Sequence, residues 1–157
     1  MDDNTERTLL RRSLLGFGPA CELIPDSGGA RDLRFAAGEG GALDLAMVEG
    51  MDNLGQALEV AITTPLGGDP FASGFGFDGL NAMVEETQPV LVRERLRVSL
   101  VQVLRRDPRV RQVVDVKLED DRLTPASTDN RTLSVRLVFE TITGDQAAVD
   151  LAGGSSG

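Results

Sequence analysis

The sequence predicts an α+β domain: two main helices packed on one face of a small antiparallel sheet, with a C-terminal β-hairpin. Three stretches carry that prediction. Apolar residues recur at spacings of three and four over residues 89–106 and again over 54–62, while residues 131–140 alternate strictly with period two.

The longest periodic stretch organises the rest. Pro89 suits a first helical turn, where its missing N–H is one of the donors left unpaired in any case. Val92, Leu96, Leu100, Val103 and Leu104 then fall on one face, which reads as core. Arg95, Ser99, Gln102 and Arg106 are expected on the opposite side. Leu91 and Val98 form a second, narrower apolar line, so the helix is either sandwiched or partnered. Pro108 cannot continue a helix and biases Asp107 away from helical geometry, which ends the helix at about Arg105 or Arg106. The period then becomes two, with Val114, Val116 and Leu118 pointing one way and Asp115 and Lys117 the other.

From the N-terminus, residues 1–15 form a weak helix candidate, with Asp3 and Glu6 spaced as in a capping box and Leu9, Leu10, Leu14 and Leu15 along a side. Gly16-Phe17-Gly18-Pro19 stops it. Residues up to 41 are glycine-rich with scattered charge and read as an arm or irregular extension. Residues 42–48 are a strand of imperfect alternation. Asp52 or Asn53 caps the next helix, whose Leu54, Ala57, Leu58, Ala61 and Ile62 follow the helical pattern without error and which Thr64-Pro65 closes. Residues 64–80 form a loop with five Gly, two Pro and three of the six Phe: Phe71, Phe75 and Phe77. Such aromatics either tuck under the loop or bind another subunit. A helical turn at 80–86 leads into the long helix. Beyond it, a strand at 113–118 pairs with 131–140 across a polar connection, 119–130. Leu133, Val135, Leu137 and Phe139 point inward, and Thr132, Ser134, Arg136 and Glu140 point outward. Residues 147–151 can add a strand that covers the hairpin edge or exchanges with a neighbour. Residues 42–151 thus make the domain, and 152–157 read as a disordered tail.

Composition narrows the function. A formal net charge of −9 disfavours nucleic acid, and the densest basic run, Arg93 to Arg97, is broken by Glu94. The single Cys21 allows no internal disulfide and suits a reducing compartment. No apolar run approaches the roughly 20 residues of a membrane span, and the acidic start differs from a secretory signal, so the chain reads as cytoplasmic. The absence of histidine removes the usual catalytic base and metal ligand, so neither cofactor nor metal is expected. Gly74-Phe75-Gly76-Phe77-Asp78-Gly79 matches G-x-G-x-x-G, but a Pro-containing loop precedes it where a dinucleotide site needs a strand. The carboxylate pairs Glu85-Glu86 and Asp120-Asp121, with Glu119 beside the latter, sit in polar sequence and read as solvated surface.

Motif order adds one further reading. A helix ending in Thr64-Pro65-Leu66-Gly67, a Gly/Phe loop with Asp69-Pro70, and a second helix ending in Asp107-Pro108-Arg109-Val110 before a strand are similar to the sheath-initiator family of contractile phage baseplates and contractile injection systems, long labelled "lysozyme-like" baseplate wedge proteins. Gly16-Phe17 and the strand at 43–48 also fit, and the resemblance covers residues 43–140. It departs in Asp107, where the family has Glu, and in a Gly-Asp-Pro-Phe loop that lacks the family's basic residue before the Pro. The resemblance implies a non-enzymatic structural protein, present in multiple copies in a phage tail-like particle. Asp107, Pro108 and Arg109 would dock on baseplate wedge proteins. The residues themselves, apart from the resemblance, offer Phe71, Phe75 and Phe77 as a loop interface if they bind another subunit. The hairpin of Leu133, Val135, Leu137 and Phe139 would template sheath subunits by strand addition, with tube or hub proteins as further neighbours. Two other readings stand beside it: a peptidoglycan-cleaving enzyme, and a cytoplasmic adaptor that binds a peptide through the Phe loop.

Overall fold

A computed structural model describes residues 3–24, 31–120 and 133–153. The α+β class is observed, with four helices among the described residues: α1 (Asp3–Leu15), α2 (Gly50–Thr63), α3 (Gly79–Glu85) and α4 (Pro89–Arg106). No helix among the described residues is long and apolar enough to cross a membrane. The chain divides into two compact units between Ala57 and Leu58, inside α2.

The first unit holds six three-residue strands between α1 and α2: β1 (Phe17–Pro19), β2 (Cys21–Leu23), β3 (Arg31–Leu33), β4 (Phe35–Ala37), β5 (Leu43–Leu45) and β6 (Met47–Glu49). They form three antiparallel two-stranded pairs, β1 with β6, β2 with β3, and β4 with β5. This corrects the expected arm at 1–41, because β4 and β5 pair across its proposed boundary and β1 pairs with β6 beyond it. The strand expected at 42–48 is broken at Ala46. Helix α2 also starts earlier than expected, at Gly50, whose φ of +63° suits a residue without a side chain. Asp52 and Asn53 therefore lie inside the helix, not at its cap position. The Asn53 amide donates to the Leu15 carbonyl at 3.0 Å, at the end of α1. Of the α1 leucines only Leu15 is buried, while Leu9, Leu10 and Leu14 are exposed.

The second unit is built on α4 and a three-stranded antiparallel sheet, β7 (Val110–Asp120), β8 (Leu133–Thr141) and β9 (Gln146–Gly153), in the order β7-β8-β9. Leu96, Leu100, Val103 and Leu104 of α4 are buried as their spacing requires. Ser99 is buried with them, contrary to its expected outward position, because it stands three residues after Leu96 and four before Val103. Helix α4 lies against β7. Arg93 spans that contact, its guanidinium donating to the Leu118 carbonyl at 2.8 Å.

On β8, Val135, Leu137 and Phe139 are buried and Arg136 is exposed, so the alternation holds; Leu133 opens the strand. On β7 it fails locally. The register shifts between Val110 and Gln112 and again between Val113 and Asp115, which leaves Val114 as an extra residue turned to solvent while Val113 pairs with Phe139. Residues 146–153 add the third strand in continuous register with β8. The polar connection falls largely, and the last residues of the tail wholly, outside the described residues, while Ala152 and Gly153 belong to β9.

Leu137→Ala, at a fully buried site, is expected to destabilise by about 2–4 kcal/mol in chemical denaturation. Arg136→Glu, next to it on the outer side, should stay within about 0.5 kcal/mol of wild type.

Candidate functional site

The sequence between α4 and β7 builds a rigid corner. Pro108 ends the helix, and Asp107 turns its carboxylate back onto the chain just ahead of it. Asp107 Oδ1 accepts from the Arg109 backbone N–H at 2.9 Å and from its Nε at 2.9 Å, and Oδ2 accepts from Nη2 at 2.6 Å. The pair is bidentate and largely shielded, with side-chain exposures of 15% for Asp107 and 23% for Arg109. Burial alone would raise the Asp107 pKa; the side-chain and backbone hydrogen bonds from Arg109 outweigh it and hold the carboxyl below its ordinary value. The guanidinium fork that the sequence offers to a partner is thus already engaged by its own neighbour.

Two further segments meet this corner. Arg106, the last residue of α4, donates to the Gly74 carbonyl at 3.0 Å and so ties the Gly/Phe loop to the helix end. On the other side, Ile142 of the β8–β9 turn donates its N–H to the Arg109 carbonyl at 3.0 Å. That turn is itself well bonded. Buried Thr141 shares a 2.7 Å hydrogen bond with Thr143, whose hydroxyl donates to Asp145 at 2.7 Å, and Gly144 takes a φ of +82°. Loop, corner and turn are therefore one contiguous surface. Arg106 and Ile142, which join them, carry no motif that singles them out; only the turn chemistry of Thr143-Gly144-Asp145 is visible in the residues.

The three loop phenylalanines divide. Phe77 is buried, Phe75 is partly exposed, and Phe71 is 99% exposed, on a turn in which its N–H donates to Asp69 Oδ1 at 2.8 Å. Phe77 anchors the loop through its backbone as well, donating to the Thr64 carbonyl at 2.8 Å and accepting from Leu66 at 3.2 Å. This crossing explains two of the glycines. At Gly76, φ is +109° and a Cβ would stand 2.7 Å from both the Thr64 and the Pro65 carbonyl oxygens. At Gly79, a Cβ would overlap the Phe77 ring and the end of Leu96. Within the G-x-G-x-x-G pattern Gly76 thus serves close packing on Thr64-Pro65 and Gly79 on Phe77 and Leu96, while a side chain at Gly74 would meet open space.

Residues expected to template a partner strand lie in β8, the central strand, whose two edges are already paired. The outer edges belong to β7 and β9. Edge β7 has two register shifts and carries Arg111, Asp115, Lys117 and Glu119, which blunt it. Edge β9 is regular over eight residues, with Asp150 as its one charge.

Of the carboxylates considered for glycoside hydrolysis, Asp121 and the side chain of Asp120 lie outside the described residues, and Glu85 and Glu119 are at the surface. Glu85 pairs with Arg95 at 3.0 Å and is 62% exposed, and Arg95 also reaches Asp78 at 3.3 Å, so the three hold α3 to α4. Glu86 accepts from the Thr87 N–H at 3.2 Å, and Glu119 is exposed. A general acid needs an apolar pocket that favours its protonated form, whereas Glu85 and Glu119 stand at the exposed surface.

No protein-family model matches the chain, and no curated protein matches it.

The corner predicts an acid-sensitive contribution to stability. Because the folded pKa of Asp107 lies below its unfolded value of about 3.9, its contribution is complete above roughly pH 4 and is lost as pH falls through the folded value. Subtracting the stability curve of Asp107→Asn from that of wild type should give a difference that is constant near neutrality and shrinks below about pH 4. Separately, Gly79→Ala should cost about 1–3 kcal/mol by overpacking, measured by thermal denaturation.

Proposed function

We propose that this chain is a structural, non-enzymatic component of a contractile phage tail or contractile injection system baseplate, which docks on wedge proteins and starts sheath assembly by strand addition. The motif order from Thr64 to Val110 suggests this class. The observation that carries the strand-addition step is the contrast between the two sheet edges: β7 is bulged and charged, whereas β9 offers eight regular residues with a single charge. Natural proteins usually blunt such an edge, and an open one is a template for an added strand from another chain. The templating element in this reading is β9, with Leu133, Val135, Leu137 and Phe139 of β8 supporting it from behind.

Docking on the wedge uses the contiguous surface of loop, corner and β8–β9 turn. With Arg109 engaged by Asp107, the corner acts as a preformed shape around exposed Pro108, and Phe71, exposed on the loop that Arg106 ties to the helix end, supplies an apolar anchor. Preorganisation of this kind lowers the entropy lost on association.

Genes encoding sheath and tube subunits are expected beside the gene for this chain. The direct test is Ala148→Lys, since Ala148 is exposed on β9 and a lysine on an edge strand opposes pairing with another chain. Circular dichroism and thermal stability of the isolated chain should be unchanged, while recruitment of sheath subunits is lost. Sheath assembly at wild-type yield and length with Ala148→Lys would refute the strand-addition reading.

A further inference from the structure

The segment between α1 and α2 contains three runs of seven residues, 17–23, 31–37 and 43–49, and each changes partner at its middle residue. The three middle residues close a ring of backbone hydrogen bonds. Ala20 donates to the Ala46 carbonyl at 2.8 Å, Ala46 to Arg34 at 2.9 Å, and Arg34 to Ala20 at 2.8 Å. Three two-stranded arms leave this ring.

Directly opposed residues in a strand pair share a face, and successive residues alternate between faces. In every arm the odd-numbered positions are mainly apolar, the exceptions being Arg31 opposite Leu23 and Glu49 opposite Phe17. Pro19 opposes Met47 with Phe17 beside them, Cys21 opposes Leu33 with Leu23 beside them, and Phe35 and Ala37 oppose Leu45 and Leu43. The even-numbered positions carry the acids Glu22, Asp32 and Asp44. In a half-buried sheet the apolar side is the covered one. Here it faces solvent: its seven large side chains are 39% to 78% exposed, while Ala20 and Ala46 on the other side are buried.

We propose that this face joins two copies of the chain, packed arm on arm about a two-fold axis. The proposal does not depend on the baseplate reading. Seven large apolar side chains, each about half exposed, amount to on the order of 600 Å², at the upper end of what monomers show and close to the ~800 Å² per partner of a stable interface. Charge does not oppose it, although the chain carries a net −9. The arm acids point to the reverse side, and Glu49, the one carboxylate at an odd position in the strands, is neutralised by Arg12 at 3.1 Å. A lipid surface fits less well, because membrane-binding apolar faces are collared by Lys and Arg, whereas the three runs carry four acids against two arginines, Arg31 and Arg34, and Arg12 beside Phe17 is already paired with Glu49. Three similar arms around one ring also present the same spacing to a copy turned over onto them, as an isologous contact requires.

Sedimentation velocity on the full chain, run over a micromolar concentration series, is the test. Wild type should dimerise. The double variant Phe35→Ser/Leu43→Ser should raise the dimer dissociation constant on the order of a hundredfold or more, since each residue enters a two-fold interface twice. Both side chains are exposed in the single chain, so its circular dichroism should not change. Val98→Ser, which removes an exposed apolar side chain on α4, should leave the dimer intact. Cys21, the chain's single cysteine, lies on the odd side and reports independently: dimerisation should slow its reaction with a maleimide, and the double variant should restore the rate. A wild type that stays monomeric throughout the series would overturn the proposal, as would a dimer unaffected by Phe35→Ser/Leu43→Ser. Flotation of wild type with phosphatidylcholine vesicles, lost in the double variant, would overturn it in favour of a lipid partner.

Discussion

One carboxylate, that of Asp107, takes three hydrogen bonds from a single residue two positions ahead, and the layout of the second unit follows from that clamp. Pro108 alone would end α4, but many exit directions would remain open to the chain. Closing Asp107 onto both the backbone and the side chain of Arg109 selects one of them. Strand β7 therefore starts where Val110 can pair with Thr141, and the Arg109 carbonyl is aimed at the N–H of Ile142. Aspartate is short enough to reach the backbone N–H of residue i+2 while its second oxygen meets the guanidinium. The departure from the glutamate of the resembled family is thus compatible with a tight corner.

A similar economy governs the Gly/Phe loop. Its crossing over Thr64 and Pro65 is held by backbone hydrogen bonds on both sides of Phe77, and the ring of Phe77 fills the space above Gly79. One phenylalanine, Phe77, is buried and fastens the loop, while another, Phe71, is left in solvent. Burial and full exposure thus fall on residues six positions apart in the same loop.

Long periodic segments were legible in the residues because a single physical demand, burial of one face, governs every position in them. That is why the core of α4, its end before Pro108, the burial of α2 at Leu54, Leu58 and Ile62, and the alternation of β8 all follow from spacing. Ser99 escaped because its polarity outweighed its position between Leu96 and Val103. Val114 escaped because a bulge is a pairing event between two strands, which the alternation of one strand does not contain. The three-armed ring escaped for a different reason. Each strand is only three residues long, and the apolar positions lie on the exposed side, so patterns that assume inward-facing hydrophobics point away from the observed arrangement. At the candidate site, Asp107, Pro108 and Arg109 stood out as a motif, but their mutual engagement depends on side-chain geometry, which residue types alone leave open.

The ring of Ala20, Arg34 and Ala46 constrains how this part of the chain can change over evolution. Each seven-residue run contributes to two arms, so a single inserted or deleted residue within a run would turn its remaining half over, moving hydrophobic positions to the acidic side and acids to the apolar one. Two runs would be affected at once, because each half is paired with a different neighbour. Length variation is tolerable only outside the runs, in the connections at the arm tips, such as the short helical turn at Glu39–Gly41, or where the runs join α1 and α2. The ring therefore acts as a ruler: relatives of this chain would differ in the reach of their arms while keeping seven residues through the junction.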